Sequence, residues 1–113
     1  MKQTGLLIEF MDKLKEAGFK VFVWEKAMNR IEKLTWCFFS KNDNIGTVQC
    51  AEFGGLDFGT VHKPCKESGT GFRTKGSVYN PTIKDAEDTF VAMPKEYAAK
   101  KAIFKYKGEW MQS

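Results

Sequence analysis

The chain has 113 residues, of which 42% are hydrophobic and 28% charged, and its formal net charge at pH 7 is +4. This length supports one hydrophobic core, so we expect a single compact domain over residues 1–113 and exclude a two-domain enzyme. The composition excludes general disorder, and no apolar run approaches the roughly 20 residues that cross a bilayer.

The first predicted element is an amphipathic helix over residues 4–17. Its apolar side chains recur at helical spacing, at Leu6, Leu7, Phe10, Met11, Leu14 and Ala17. Thr4 is a candidate N-cap, and Gly18 supplies the left-handed residue at which helices commonly end. Glu9 interrupts the apolar stretch near the N-terminus, so we predict no signal peptide, a cytoplasmic location and no membrane contact.

Four segments of alternating side chains follow and predict an antiparallel meander. They cover residues 19–24, 34–40, 45–53 and 56–62. The first of these strands is largely apolar on both faces, which indicates a strand that is interior to its sheet or covered on both sides. Asn42-Asp43-Asn44 is turn sequence, and Gly54-Gly55 is expected to close a two-residue hairpin. The polar segment 25–33 fits a helical turn or a long hairpin loop equally well.

The second half of the chain has weaker patterns. Residues 63–76 are predicted to be a loop, with a possible short strand over 72–75. Asn80-Pro81-Thr82 is typical of a helix start and predicts a short helix over 82–91, with Asp85 near its positive end. Residues 95–107 fit a basic amphipathic helix whose apolar face extends to Trp110, although 103–106 also fit a closing strand.

These elements predict an α+β protein. We expect a four- to five-stranded antiparallel meander with the N-terminal and C-terminal helices packed on one face.

The net positive charge comes entirely from the second half of the sequence. Residues 1–60 carry 8 Lys and Arg against 8 Asp and Glu, whereas residues 61–113 carry 10 against 6. Such an excess favours polyanions or acidic protein surfaces as partners. It is concentrated in two windows, residues 63–75 and 95–107. In the first window, backbone N–H groups and hydroxyls of the glycine-rich loop 68–74, together with Arg73, can approach a phosphate. The predicted nucleic-acid contacts are Lys63, Lys66, Phe72, Arg73, Lys75, Lys100 and Lys101, with Phe72 stacking on a base.

Catalytic and metal-binding patterns are weak. Three widely spaced cysteines do not indicate a disulfide framework, and a zinc site of Cys37, Cys50, His62 and Cys65 is an alternative that the residue types allow. His62 and Cys65 also fit a nucleophile pair, but no loop suited to an oxyanion hole accompanies them. We therefore expect a protein without enzymatic activity, cofactor or metal.

The sequence thus predicts a small basic module that binds nucleic acid through the glycine-rich loop and the C-terminal lysines. The alternative is a protein-binding inhibitor or adaptor, in the style of phage and plasmid accessory proteins, that acts on an acidic host protein surface.

Overall fold

The computed structural model describes residues 3–61, 72–89, 91–92 and 110–113. Three α-helices and one 3-10 helix occur in these ranges: α1 Gln3–Glu16, α2 Glu25–Met28, the 3-10 turn Ile31–Lys33, and α3 Ile83–Thr89. The strands are β1 Lys20–Trp24, β2 Trp36–Lys41, β3 Asn44–Cys50, β4 Leu56–Val61, β5 Phe72–Val78, β6 Val91–Ala92 and β7 Trp110–Gln112.

The strands form one antiparallel sheet in the order β5-β4-β3-β2-β1-β7, and the short β6 pairs with β3. The predicted α+β class and the meander from β1 to β4 are confirmed. The expected number of strands was too low, because β7 pairs with β1 and extends the sheet past the first strand of the meander. Trp110, which we placed on a helical face, lies in β7 directly opposite Trp24.

The predicted N-terminal helix is confirmed as α1, which covers one face of the sheet. Its buried residues Leu7, Phe10 and Leu14 join a cluster with side chains from β1 to β4, and Phe10 meets the Phe58 ring edge-on at 5.5 Å. Ala86 of α3 belongs to the same cluster. The predicted helix over 95–107 lies outside the described residues.

The opposite face of the sheet carries a second, aromatic cluster. Phe38, Ile45, Val61 and Trp110 are buried there, and Phe22, Trp24 and Trp36 pack against them. Because Val21 and Val23 belong to the α1 face, the expectation that β1 is covered on both sides is confirmed.

One hairpin follows the prediction and the next does not. Asn42 and Asp43 have φ values of 51° and 64°, as a tight turn between Lys41 and Asn44 requires. The predicted two-residue link at Gly54-Gly55 is wrong, since Cys50 pairs with Leu56 and leaves five residues between the strands. Ala51 donates its N–H to the Gly55 carbonyl at 3.3 Å, which makes residues 51–55 a turn of their own.

No helix among the described residues combines the length and the apolar character needed to cross a bilayer.

Candidate functional site

The connection from β1 to β2 forms an open cleft of about 400 Å³ at one end of the sheet. Trp24, the last residue of β1, and Trp36, the first residue of β2, line it. Ala27 and Leu34 add apolar surface between them, and Lys26, Arg30 and Lys33 supply positive charge. All of these residues come from one stretch of 13 residues, 24–36.

The local fold of residues 25–33 presents the three cations to the cleft. The helical turn α2 ends where the Arg30 N–H bonds to the Ala27 carbonyl at 3.0 Å, and the 3-10 turn follows directly. The buried Leu34 then anchors the chain in the α1-face core before β2 begins. Lys26 lies in α2, Lys33 lies in the 3-10 turn and Arg30 lies between them, and all three line the cleft.

A third tryptophan supports the two that line the cleft. Trp110 is only 3% exposed and lies opposite Trp24 in the β1–β7 pairing. Its ring meets Trp36 at 4.4 Å and Trp24 at 5.7 Å, both in T-shaped contacts that aromatic pairs prefer. Trp24 and Trp36 are themselves partly exposed. The aromatic walls of the cleft are therefore contacted from behind by Trp110, while Trp24 and Trp36 remain partly exposed.

The charge of the cleft is of one sign. Within the described ranges no carboxylate lines it; Glu25 and Glu32 of the same connection are exposed and are not among its lining residues. The salt bridges of the described residues join Lys15 to Asp12 at 4.0 Å and Lys84 to Asp88 at 3.2 Å, and neither involves a cleft residue. Three cations, with no carboxylate among the described lining residues, place positive charge beside the aromatic walls.

The structure does not bring the described members of the predicted contact set to this cleft. Phe72, Arg73 and Lys75 lie in β5, the far edge of the described sheet, three to four strand spacings away, or about 14–19 Å. Lys75 is exposed and is the extra residue of a β-bulge, since Gly76 pairs with Phe58 and Thr74 with Gly59. Bulges re-aim side chains and are common beside functional sites. Lys63, Lys66, Lys100 and Lys101, with the rest of the glycine-rich loop, lie outside the described residues.

Two of the four residues of the alternative zinc site are described. Cys37 is fully buried on the α1 face, and Cys50 is partly buried nearby with its Sγ 4.0 Å from the Leu34 carbonyl. Burial raises the pKa of both thiols, so both are protonated at neutral pH. In the part of the chain that the structure describes, no three His, Cys, Asp or Glu side chains gather into a metal site. His62 and Cys65 lie outside it.

Charge summed along the chain does not reveal the cleft, because Glu25 and Glu32 offset two of the three cations. The available signal was the i, i+4, i+7 spacing of Lys26, Arg30 and Lys33 between two tryptophans.

Comparisons of this chain with protein-family models, with curated proteins and with solved structures find no match.

Proposed function

We propose that this protein is a non-enzymatic module that binds nucleic acid, and that the cleft between Trp24 and Trp36 is its main contact surface. The observation that carries the proposal is the composition of the cleft: three cations and two partly exposed indole rings, with no carboxylate among the described lining residues. Cations attract and position phosphates, and aromatic rings offer bases a surface to stack on.

The cations predicted from the sequence form a second part of the proposal. Lys75 is exposed on β5 and Arg73 precedes it in the same strand. A strand of nucleic acid that leaves the cleft and crosses the sheet would meet them at the other edge. We therefore propose them, together with Lys63, Lys66, Lys100 and Lys101, as secondary phosphate contacts in a cytoplasmic protein.

The test compares two variants with equal net charge. In the cleft variant Lys26, Arg30 and Lys33 are replaced by Gln; in the control variant Lys13, Lys20 and Lys84, which are exposed and line no part of the cleft, are replaced by Gln. Binding of a fluorescently labelled single-stranded oligonucleotide is measured by anisotropy at several salt concentrations.

We expect the cleft variant to bind more weakly and its log–log salt slope to fall by about 2, since each lost phosphate contact removes about 0.7 from the slope. The control variant should keep most of the slope. Absence of binding by the unmodified protein at low salt, or equal losses in both variants, would contradict the proposal.

The alternative, a protein-binding inhibitor or adaptor of the phage or plasmid accessory type, has one observation in its favour. Phe53 is 83% exposed and Tyr79 is 65% exposed, and the Tyr79 hydroxyl donates to the Phe53 carbonyl at 2.8 Å. Exposed aromatic rings held in place are typical of protein interfaces. A protein that binds no oligonucleotide at any salt concentration would favour this alternative.

A further inference from the structure

We propose that the cleft takes one unpaired base of a single strand, so that the protein distinguishes single-stranded nucleic acid from duplex. This inference rests on the proposed function and names the class of nucleic acid that the same site recognises.

The size of the cleft fits one nucleotide unit. Its volume of about 400 Å³ lies at the lower end of the range of pockets that hold small ligands, about 300–1,000 Å³. In a duplex the base faces are stacked on one another and only the base edges are accessible in the grooves. A base can therefore enter the cleft only if it is unstacked and unpaired, as in single strands, loops and ends.

The walls of the cleft suit the face of a base. Trp24 and Trp36 contribute indole surface and Ala27 and Leu34 contribute apolar surface between them. Trp110, buried and in ring contact with both wall tryptophans, holds them in position before a ligand arrives. Walls that are already ordered lose little conformational entropy when a ligand binds, which strengthens binding.

The position of the charges agrees with a base flanked by phosphates. Lys26, Arg30 and Lys33 all come from the connection between the two wall tryptophans. A base seated on the indoles would thus have its adjoining phosphates beside these cations. An acidic peptide would satisfy the cations but would leave the aromatic walls without a planar partner.

Intrinsic tryptophan fluorescence can report on ligand binding at the cleft. All three tryptophans of the chain belong to the cluster at the cleft, so the intrinsic tryptophan fluorescence reports on this region. The experiment titrates the unmodified protein with four ligands: a short oligothymidylate, an abasic sugar-phosphate oligomer of equal length and charge, a duplex of equal length, and thymidine monophosphate.

We expect the oligothymidylate to quench the fluorescence and to bind about 5- to 150-fold more tightly than the abasic oligomer, the range that stacking of one base provides. The duplex, which carries about twice as many phosphates at equal length, should bind through charge alone and should leave the tryptophan fluorescence unquenched. Trp36→Phe should keep part of the preference for the base-bearing strand and Trp36→Leu should lose it, with circular dichroism confirming that each variant is folded.

The outcomes separate this inference from the proposed function. Equal affinity for the base-bearing and abasic oligomers would overturn base insertion and leave nucleic-acid binding through charge. Binding of the monophosphate as tightly as of the strand would overturn the single-strand assignment in favour of a free nucleotide. Absence of binding to all four ligands would overturn the proposed function itself.

Discussion

The Cys37 thiol is a titratable group that the fold keeps neutral. It is fully buried among apolar side chains of the α1 face. Burial is the largest cause that raises its pKa above the ordinary value of 9.0; the neighbouring Cys50 thiol raises the pKa further, and Lys15 lowers it. Such a thiol behaves as a small apolar side chain, and we expect it to resist alkylation while the protein is folded.

A prediction about pH follows from the raised pKa of Cys37. The unfolded chain releases the thiol proton near pH 9 and the folded chain does not, so this thiol contributes stability below pH 9 that is lost as the pH rises above it. The loss is about 1.4 kcal/mol per pH unit for one thiol. Urea unfolding between pH 7 and pH 11 should therefore show a shallower decline for Cys37→Ala than for the unmodified protein.

Other groups that titrate in the same range are common to both proteins, so the difference in slope isolates Cys37. The variant should also be less stable at pH 7 by roughly 1 kcal/mol, because it leaves a small cavity. Parallel curves would show that Cys37 does not titrate differently in the folded and unfolded states.

At the scale of secondary-structure elements, α3 has a reciprocal cap at its N-terminus. The Asp85 N–H donates to the Thr82 hydroxyl at 3.3 Å, and the Thr82 N–H donates to the Asp85 carboxylate at 2.7 Å. Both residues thereby satisfy backbone donors that the first turn of a helix leaves unpaired. Ala86, the residue after Asp85, is fully buried in the α1-face core. The cap therefore stabilises a helix that contributes a side chain to this core.

We expect Thr82→Ala to lower the free energy of unfolding by about 1 kcal/mol, the usual effect of losing an N-cap side chain. The matched control is Thr4→Ala. The sequence indicated Thr4 as a cap, but the structure places it inside α1, where alanine is the better helix former. Urea unfolding should show a lower free energy of unfolding for Thr82→Ala and no decrease for Thr4→Ala. A decrease for Thr4→Ala alone would contradict the assignment of both helix starts.

The sequence predicted best those elements whose residue pattern lies within one continuous segment of the chain. The apolar stripe of α1 repeats over four turns, and Gly18, with φ at 91°, ends it as expected. The 25–33 connection was ambiguous because its helical turn and 3-10 turn are each too short to show a period. The helix predicted over 82–91 is shorter in the structure, ending at Thr89, because Val91 pairs with Ile45 in β6. That pairing joins residues far apart in sequence, and no local pattern encodes it.

For the whole molecule, the cleft depends on contacts between distant segments. Trp24 ends β1 and Trp36 begins β2, and Trp110 reaches both from a strand that lies more than seventy residues further along the chain. From the sequence, Trp110 fitted the apolar face of a helix, and the alternative closing strand over 103–106 did not include it. Its pairing with Trp24 in β7 joins distant segments of the chain, so the aromatic walls of the site were not predictable even though each tryptophan was visible.

This arrangement makes Trp110 a link between stability and binding. It is 3% exposed and contacts Trp24, Trp36 and, at 4.7 Å, Phe38. Replacing it with alanine removes a large buried side chain, which costs about 3–5 kcal/mol in typical cores. The next residue, Met111, is 47% exposed, so Met111→Ala should change stability by much less, about 0.5 kcal/mol or below.

Trp110→Phe is the variant that tests whether stability and oligonucleotide binding both depend on Trp110. It keeps an aromatic ring in β7, and we expect a smaller loss of stability than for alanine, with the protein still folded at room temperature. Because the smaller ring supports Trp24 and Trp36 less firmly, oligonucleotide binding should weaken although Trp110 does not line the cleft. Urea unfolding and anisotropy, measured on the same preparations, check both effects. If Trp110→Phe loses stability but keeps full affinity, the walls of the cleft do not depend on the ring behind them.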